Sequence, residues 1–386
     1  MGTDKQNTSN DSSEGVDGVP APEGPANLID TDYQIGQDNY TGRVGGINLD
    51  LHGMVFGFSA IVILFFVVLT LAFQDQAEGV FQAIFDFLTQ NLSWAYLLGA
   101  NIFLVVCVVL IFTPLANVRL GGANATPDFT YRGWFAMLFA AGMGIGLMFY
   151  AVSEPLTHYD TAMGGVTVEE DGTRSDWAPL GAAEGDEHAA QRLGMAATIF
   201  HWGLHPWAVY SVVALALALF SFNKGLPLTV RSIFYPIFGE KIWGWPGHVI
   251  DVIAVFATLF GLTTSLGIGA QQASAGLSHL FGMPEGDVTM VLLILAITGI
   301  ALISILAGVD KGVRRLSEIN LGFAALLMVF VIVVGPTLAI FTGFFQNLGS
   351  YVVNLPAFMM PFGREDANFS QGWTAFYWSW WIAWSP

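Results

Sequence analysis

The residues with the most distinctive chemistry are tryptophans. Trp378, Trp380, Trp381 and Trp384 fall in WSWWIAWSP, residues 378–386, with Trp373 and Tyr377 just ahead of them. On a helix the neighbours Trp380 and Trp381 point about 100° apart, so one packing stripe would not use both. An aromatic cage would. A quaternary ammonium has no N–H to donate, and its diffuse charge is best met by the negative faces of indole rings, at about 0.5–2 kcal/mol per contact. A second aromatic group lies in FHWGLHPWAVY, residues 200–210: Trp202, Trp207 and Tyr210. Such a trio usually packs or marks a membrane interface, but this one starts in the middle of an apolar run.

Three other patterns carry chemistry. AAGMGIGLMFYAVSEP, residues 140–155, alternates Gly142, Gly144 and Gly146. Small residues let membrane helices pack closely. Alternating glycines also make a helix easy to unwind, and unwound carbonyls in transporters bind ions or substrate near the membrane midplane. Glu154 is expected at the outer end of this segment, because Pro155 and polar residues follow. His201 and His205 share a helix face at i, i+4 spacing, but no Glu follows His201, so metal ligation is not expected there. Thr258, Thr263, Thr264 and Ser265 are hydroxyls on an apolar helix, which usually bond back to that helix and can ligate sodium when they face a cavity. No nucleophile–base pair or phosphate loop stands out, so the chain reads as a non-enzyme.

The elements that must position these groups are membrane helices. Of 386 residues, 54% are hydrophobic and 11% charged, against about a quarter charged in soluble domains, and mean hydropathy is +0.58. Spanning a bilayer takes roughly 20 apolar residues. Candidate spans run over Met54–Phe73, Ala95–Thr113, Gly133–Val152, Gly194–Phe222, Val249–Leu266 (with an extension to Phe281), Val288–Gly308 and Ile319–Phe345, and an eighth begins near Trp373. With the N-terminus inside, the inner segments hold Lys5, Arg43, Arg119, Arg132, Lys224, Arg231, Lys241, Lys311, Arg314 and Arg315, and the outer ones only Arg174, Arg192 and Arg364. This asymmetry predicts a cytoplasmic N-terminus.

Net charge is −17, with nine acids in residues 1–50 and nine more in 151–194. An acidic surface repels nucleic acid and fits a salt-rich, halophile-like habitat. Residues 1–48 read as an acidic, disordered cytoplasmic tail, and residues 49–386 as the transmembrane domain. Cys107 is the single cysteine, so no disulfide framework is expected within the chain.

AGMGIGLMFY (141–150), HWGLHPWAVY (201–210), the TLFG–TSLGIGA stretch (258–270) and FYWSWWIAWSP (376–386) occur in the order and spacing of one family. The chain resembles the betaine/choline/carnitine transporters from about residue 45 onward. The resemblance implies an all-α polytopic membrane protein with a LeuT-like inverted-repeat fold, about eight of twelve helices being present. The first repeat would span about 133–345, and the second would start about 373, so the sequence reads as C-terminally truncated.

The family commonly forms homotrimers in the plasma membrane and moves trimethylammonium osmolytes, often with sodium. By resemblance, Trp202, Trp207, Tyr210 and Trp381 line the central cage, and Trp380 and Trp384 lie along the same path. The carbonyls of Ala140 and Met143 belong to one sodium site and the Thr258 hydroxyl to a second. Gly142, Gly144 and Gly146 match the glycine betaine form, and their backbone N–H groups would meet the carboxylate. Leu262 stands where the sodium-coupled pattern has a second threonine, which puts two-sodium stoichiometry in doubt. The implied function is sodium-coupled import of glycine betaine for osmoprotection, with a proton-coupled or exchanging choline or carnitine carrier as the alternative.

Overall fold

The computed structural model describes residues 28–44, 47–142, 144–165, 170, 181, 183–362 and 367–385. The chain is predominantly helical there. Among the described residues six helices are long and apolar enough to cross a membrane, or seven when one bent pair is counted as a single span. Large apolar side chains such as Ile61, Leu64 and Phe65 on α1 (Gly53–Ala72) point outward, as a lipid-facing surface requires.

The chain divides into two compact units. The smaller takes residues 1–57, 105–126 and 211–252. It opens with a β hairpin, β1 (Asn39–Val44) antiparallel to β2 (Ile47–His52), with Val44 opposite Ile47. This corrects the expectation of an unstructured tail through residue 48. Ile47, Leu49 and Leu51 alternate with polar residues, which is the period of a strand. Upstream of the hairpin, the Tyr33 ring stacks on Trp243 at 4.3 Å, and Trp243 Nε1–H donates to Thr31 Oγ1 at 3.0 Å. Arg231 is buried and pairs with Asp251, Nε to Oδ2 at 2.5 Å, while Asp251 Oδ1 accepts from the Arg231 backbone N–H at 3.0 Å.

The larger unit takes residues 58–104, 127–210 and 253–386. Helix α2 runs over Gln74–Phe112, 39 residues against the 19 expected for that span, because no breaker interrupts the polar stretch before Ala95. The expected third span is broken into α3 (Tyr131–Gly142) and α4 (Ile145–Gly164), bent by 53°. The expected fourth span is α5 (Glu187–Trp202), α6 (Leu204–Ala218) and a π turn, Leu219–Asn223. The break falls at Gly203, ahead of Pro206. Asp186 caps α5 by accepting from the Ala189 N–H. Helices α7 (Val230–Ile233) and α8 (Tyr235–Phe238), single turns of the smaller unit, come before α9 (Trp245–Phe281), and α10 (Asp287–Leu306) follows.

The expected seventh span, Ile319–Phe345, is corrected. The structure has α11 (Arg314–Val334) and α12 (Thr337–Phe358), divided at Gly335–Pro336. Proline lacks an N–H and pushes its predecessor out of helical geometry, and Gly335 is extended (φ −81°, ψ −176°). A π turn, Ala367–Thr374, leads into α13 (Ala375–Trp384).

The core of the larger unit lies where α5 packs against α4 and α12. Small residues set the spacing: Ala190, Ala196 and Ala197 are fully buried, and a Cβ on Gly194 would press on the α4 backbone at Tyr159 N, 2.8 Å away. Close approach of this kind is what small residues supply in membrane bundles. It brings the last turn of α5 against the middle of α4.

Candidate functional site

A cavity of about 270 Å³ opens in the larger unit, lined by Trp202, Trp380, Trp381 and Trp384 together with Ala140, Gly142, Gly144, Gly146 and Leu262. Trp202 is the last residue of α5, and the other three indoles ride on α13. Trp202 stands edge-on to Trp381 at 5.5 Å and to Trp380 at 6.3 Å, with interplanar angles of 85°. Trp384 stands edge-on to Trp381 at 5.6 Å. Two aromatic groups almost 180 residues apart in sequence therefore build one cage.

The glycine run makes room for the rings. A Cβ on Gly142 would overlap the Trp207 indole, and one on Gly146 would overlap that of Trp380. Gly144 has open space around its Cβ position and is the N-cap of α4. The free N–H groups of a 20-residue helix thus begin at the cavity wall.

Trp207 and Tyr210 stand beside the cage rather than in its lining. Trp207 meets Tyr210 edge-on at 6.1 Å, and Tyr210 reaches Trp384 at 5.7 Å. Of the expected sodium ligands, Ala140 lines the cavity, Met143 lies outside the described residues, and Thr258 is half-buried and away from the cavity lining. The neighbouring hydroxyls are engaged by their own helix: Thr263 and Thr264 both donate to Phe260 O, at 3.0 and 2.9 Å, and Ser265 donates to Gly261 O at 3.2 Å.

Glu154 is not at an exposed outer end. It is fully buried, which corrects the sequence expectation. Its Oε1 accepts from His201 Nδ1 at 2.6 Å and from His158 Nε2 at 3.2 Å. Its Oε2 accepts from the Tyr377 hydroxyl at 2.6 Å and from Trp202 Nε1 at 2.9 Å. His201 Nε2 lies 3.0 Å from Thr374 Oγ1. The local cue of Pro155 misleads because the helix continues through it to Gly164. Three ligand-type groups, Glu154, His158 and His201, lie together here. A nitrogen and an oxygen sharing a tetrahedral metal would stand about 3.3 Å apart, so the 2.6 Å contact is a hydrogen bond. His205 belongs elsewhere: its Nε2 meets Asn101 Oδ1 at 3.0 Å.

Tyr150 is the other group that sequence reasoning missed. Its ring lies within 6.4 Å of Trp202, Trp373, Phe376, Tyr377 and Trp380. It closes the aromatic cluster on the α4 side.

Apolar helices of membrane-spanning length, a broken helix and an aromatic cavity are the features of a membrane transporter. Residues 54–386 match the family model described as BCCT, betaine/carnitine/choline family transporter, and the chain belongs to that family. It is a multi-pass membrane protein of a transporter family, not of an enzyme family.

The chain is similar to the glycine betaine/proline/choline transporter of Vibrio parahaemolyticus, 61% identical over 96% of this chain and 66% of that protein. It is 41% identical to the glycine betaine transporter OpuD of Bacillus subtilis, over 81% of this chain and 58% of the relative. It is 39% identical to the osmo-dependent choline transporter BetT2 of Acinetobacter baylyi, over 87% of this chain and 47% of the relative. The chain thus spans less than two thirds of the length of these relatives.

Proposed function

We propose that the intact protein is a secondary active transporter that imports glycine betaine or a related trimethylammonium osmolyte, coupled to sodium. The observation that carries this reading is the four-indole cavity abutting the glycine-rich N-terminus of α4. The indole faces suit the trimethylammonium head. The free N–H groups and positive dipole end of α4 suit a carboxylate. Betaine carries both groups a few bonds apart. The names of the relatives include betaine, proline and choline, which supports a small osmolyte as substrate.

Trp202, Trp380, Trp381 and Trp384 form the cage, with Trp207 and Tyr210 behind it on the permeation path. Ala140 and Met143 carbonyls and the Thr258 hydroxyl would hold sodium. Leu262 supplies no oxygen, so one coupling ion is favoured over two. The N-terminus is cytoplasmic and the assembly trimeric, both open to direct measurement by accessibility labelling and cross-linking.

Uptake of labelled betaine, choline, carnitine and proline into proteoliposomes, with and without a sodium gradient, tests the reading. Sodium-driven betaine uptake is expected. Choline or carnitine transport indifferent to sodium would replace it with the proton-coupled or exchanger alternative. Trp381→Ala in the intact protein is expected to abolish saturable uptake while leaving insertion unchanged.

A further inference from the structure

We propose that Glu154 is a positioning residue whose buried carboxylate fixes and polarises the Trp202 indole for a cationic headgroup. The inference rests on the transport reading above and names what makes that site prefer a cation. An aromatic cage can hold trimethylammonium with no counter-ion. Here the cage wall has one behind it.

The argument begins with the hydrogen-bond count. Four donors converge on one carboxylate: His158 and His201 at Oε1, Trp202 and Tyr377 at Oε2. Each can donate while uncharged. The indole and phenol are neutral. Each imidazole needs only one N–H, and His201 Nε2 can accept from the Thr374 hydroxyl. The network itself sets these tautomers. Among the described residues no lysine or arginine pairs with Glu154. With both imidazoles in their neutral forms, which the proposal requires, the carboxylate charge is satisfied by dipoles rather than cancelled by a cation.

That charge sits where it can act. The Trp202 Nε1–H points at Glu154, and the same ring lines the cavity. An N–H held by an anion pushes electron density into the ring and makes its face more negative. Hydrogen-bonded groups polarise one another in this way, and more strongly in a low-dielectric interior. The same carboxylate fixes the ring orientation, edge-on to Trp381. A purely structural clamp joining α4, α5 and α13 would use the same bonds but would affect charged and uncharged ligands alike.

The test compares glycine betaine with tert-butylacetate, its uncharged-head isostere, by tryptophan-fluorescence titration of the purified intact protein. The quantity read is the affinity ratio of the two. Unmodified protein is expected to favour betaine. Glu154→Gln should lower that ratio roughly three- to tenfold, the scale of a weakened desolvated cation–π contact. Glu154→Asp keeps the charge with one methylene fewer. It should weaken both ligands yet retain most of the ratio, and it serves as the reading if the glutamine variant fails to fold. A ratio unchanged in Glu154→Gln, or lost equally in Glu154→Asp, overturns the proposal and leaves the transport reading standing. No preference for betaine in the unmodified protein overturns both.

Discussion

Among the described residues two carboxylates are buried, Asp251 and Glu154, and they are satisfied in opposite ways. Asp251, in the smaller unit, meets the Arg231 guanidinium and that residue's own N–H, twenty positions away. Glu154, in the larger unit, is met by two imidazoles, an indole and a phenol. The first arrangement cancels charge at its source and holds a local fold. The second leaves charge in place and hands it to the ring that faces the cavity. Burial of an acid is therefore not one kind of observation: what matters is whether the partner is a cation or a set of dipoles.

The comparison can be broken from the larger effect downward. Asp251→Ala would leave the Arg231 guanidinium buried and unpaired, at a cost of about 3–5 kcal/mol, read as a lower melting temperature in detergent. The pair Arg231→Met with Asp251→Leu should recover most of that loss, as replacing a whole buried ion pair often does. Neither change should move the betaine-to-isostere ratio, and a shift would mean that the two carboxylates are not separable.

Tyr377→Phe removes one of the four donors on Glu154 while keeping the ring. It should cost about 0.5–1.5 kcal/mol of stability and leave the preference for the cation intact. A loss of that preference would assign the polarisation to the phenol instead of the indole. Thr374→Val takes away the hydroxyl at His201 Nε2 and should cost about 1 kcal/mol. If it changes the pH dependence of betaine binding, His201 carries a proton and the neutral-donor account of Glu154 fails.

Much of the cage was legible in the sequence. Paired and closely spaced tryptophans, and glycines at every second position, state a need for ring surface and for room beside it. The structure brings Trp202 to Trp380 and Trp381, and Gly142 and Gly146 take the indoles of Trp207 and Trp380. Glu154 was illegible for a physical reason. Its cues along the chain are Pro155 and polar neighbours, whereas three of its four partners stand 47, 48 and 223 positions away. The one local signal is His158 at i+4, on the same helix face. The histidine pair that spacing does offer, His201 and His205, splits between two networks. The hairpin was masked by the acidic composition around it, although Ile47, Leu49 and Leu51 alternate clearly. The division of α11 from α12 could have been read from Gly335–Pro336.

Gly203 separates α5 from α6 by a single residue. Trp202 is on one side of that joint, tethered to Glu154; Trp207 and Tyr210 are on the other. This side of the site is thus carried by two rods: Trp202 lines the cavity from one, and Trp207 and Tyr210 stand behind it on the other. A tilt of α6 about Gly203 would carry Trp207 and Tyr210 away while Trp202 kept its anchor. Ring by ring, that side has an anchored jamb in the cavity lining and, behind it, a leaf hung on a one-residue joint.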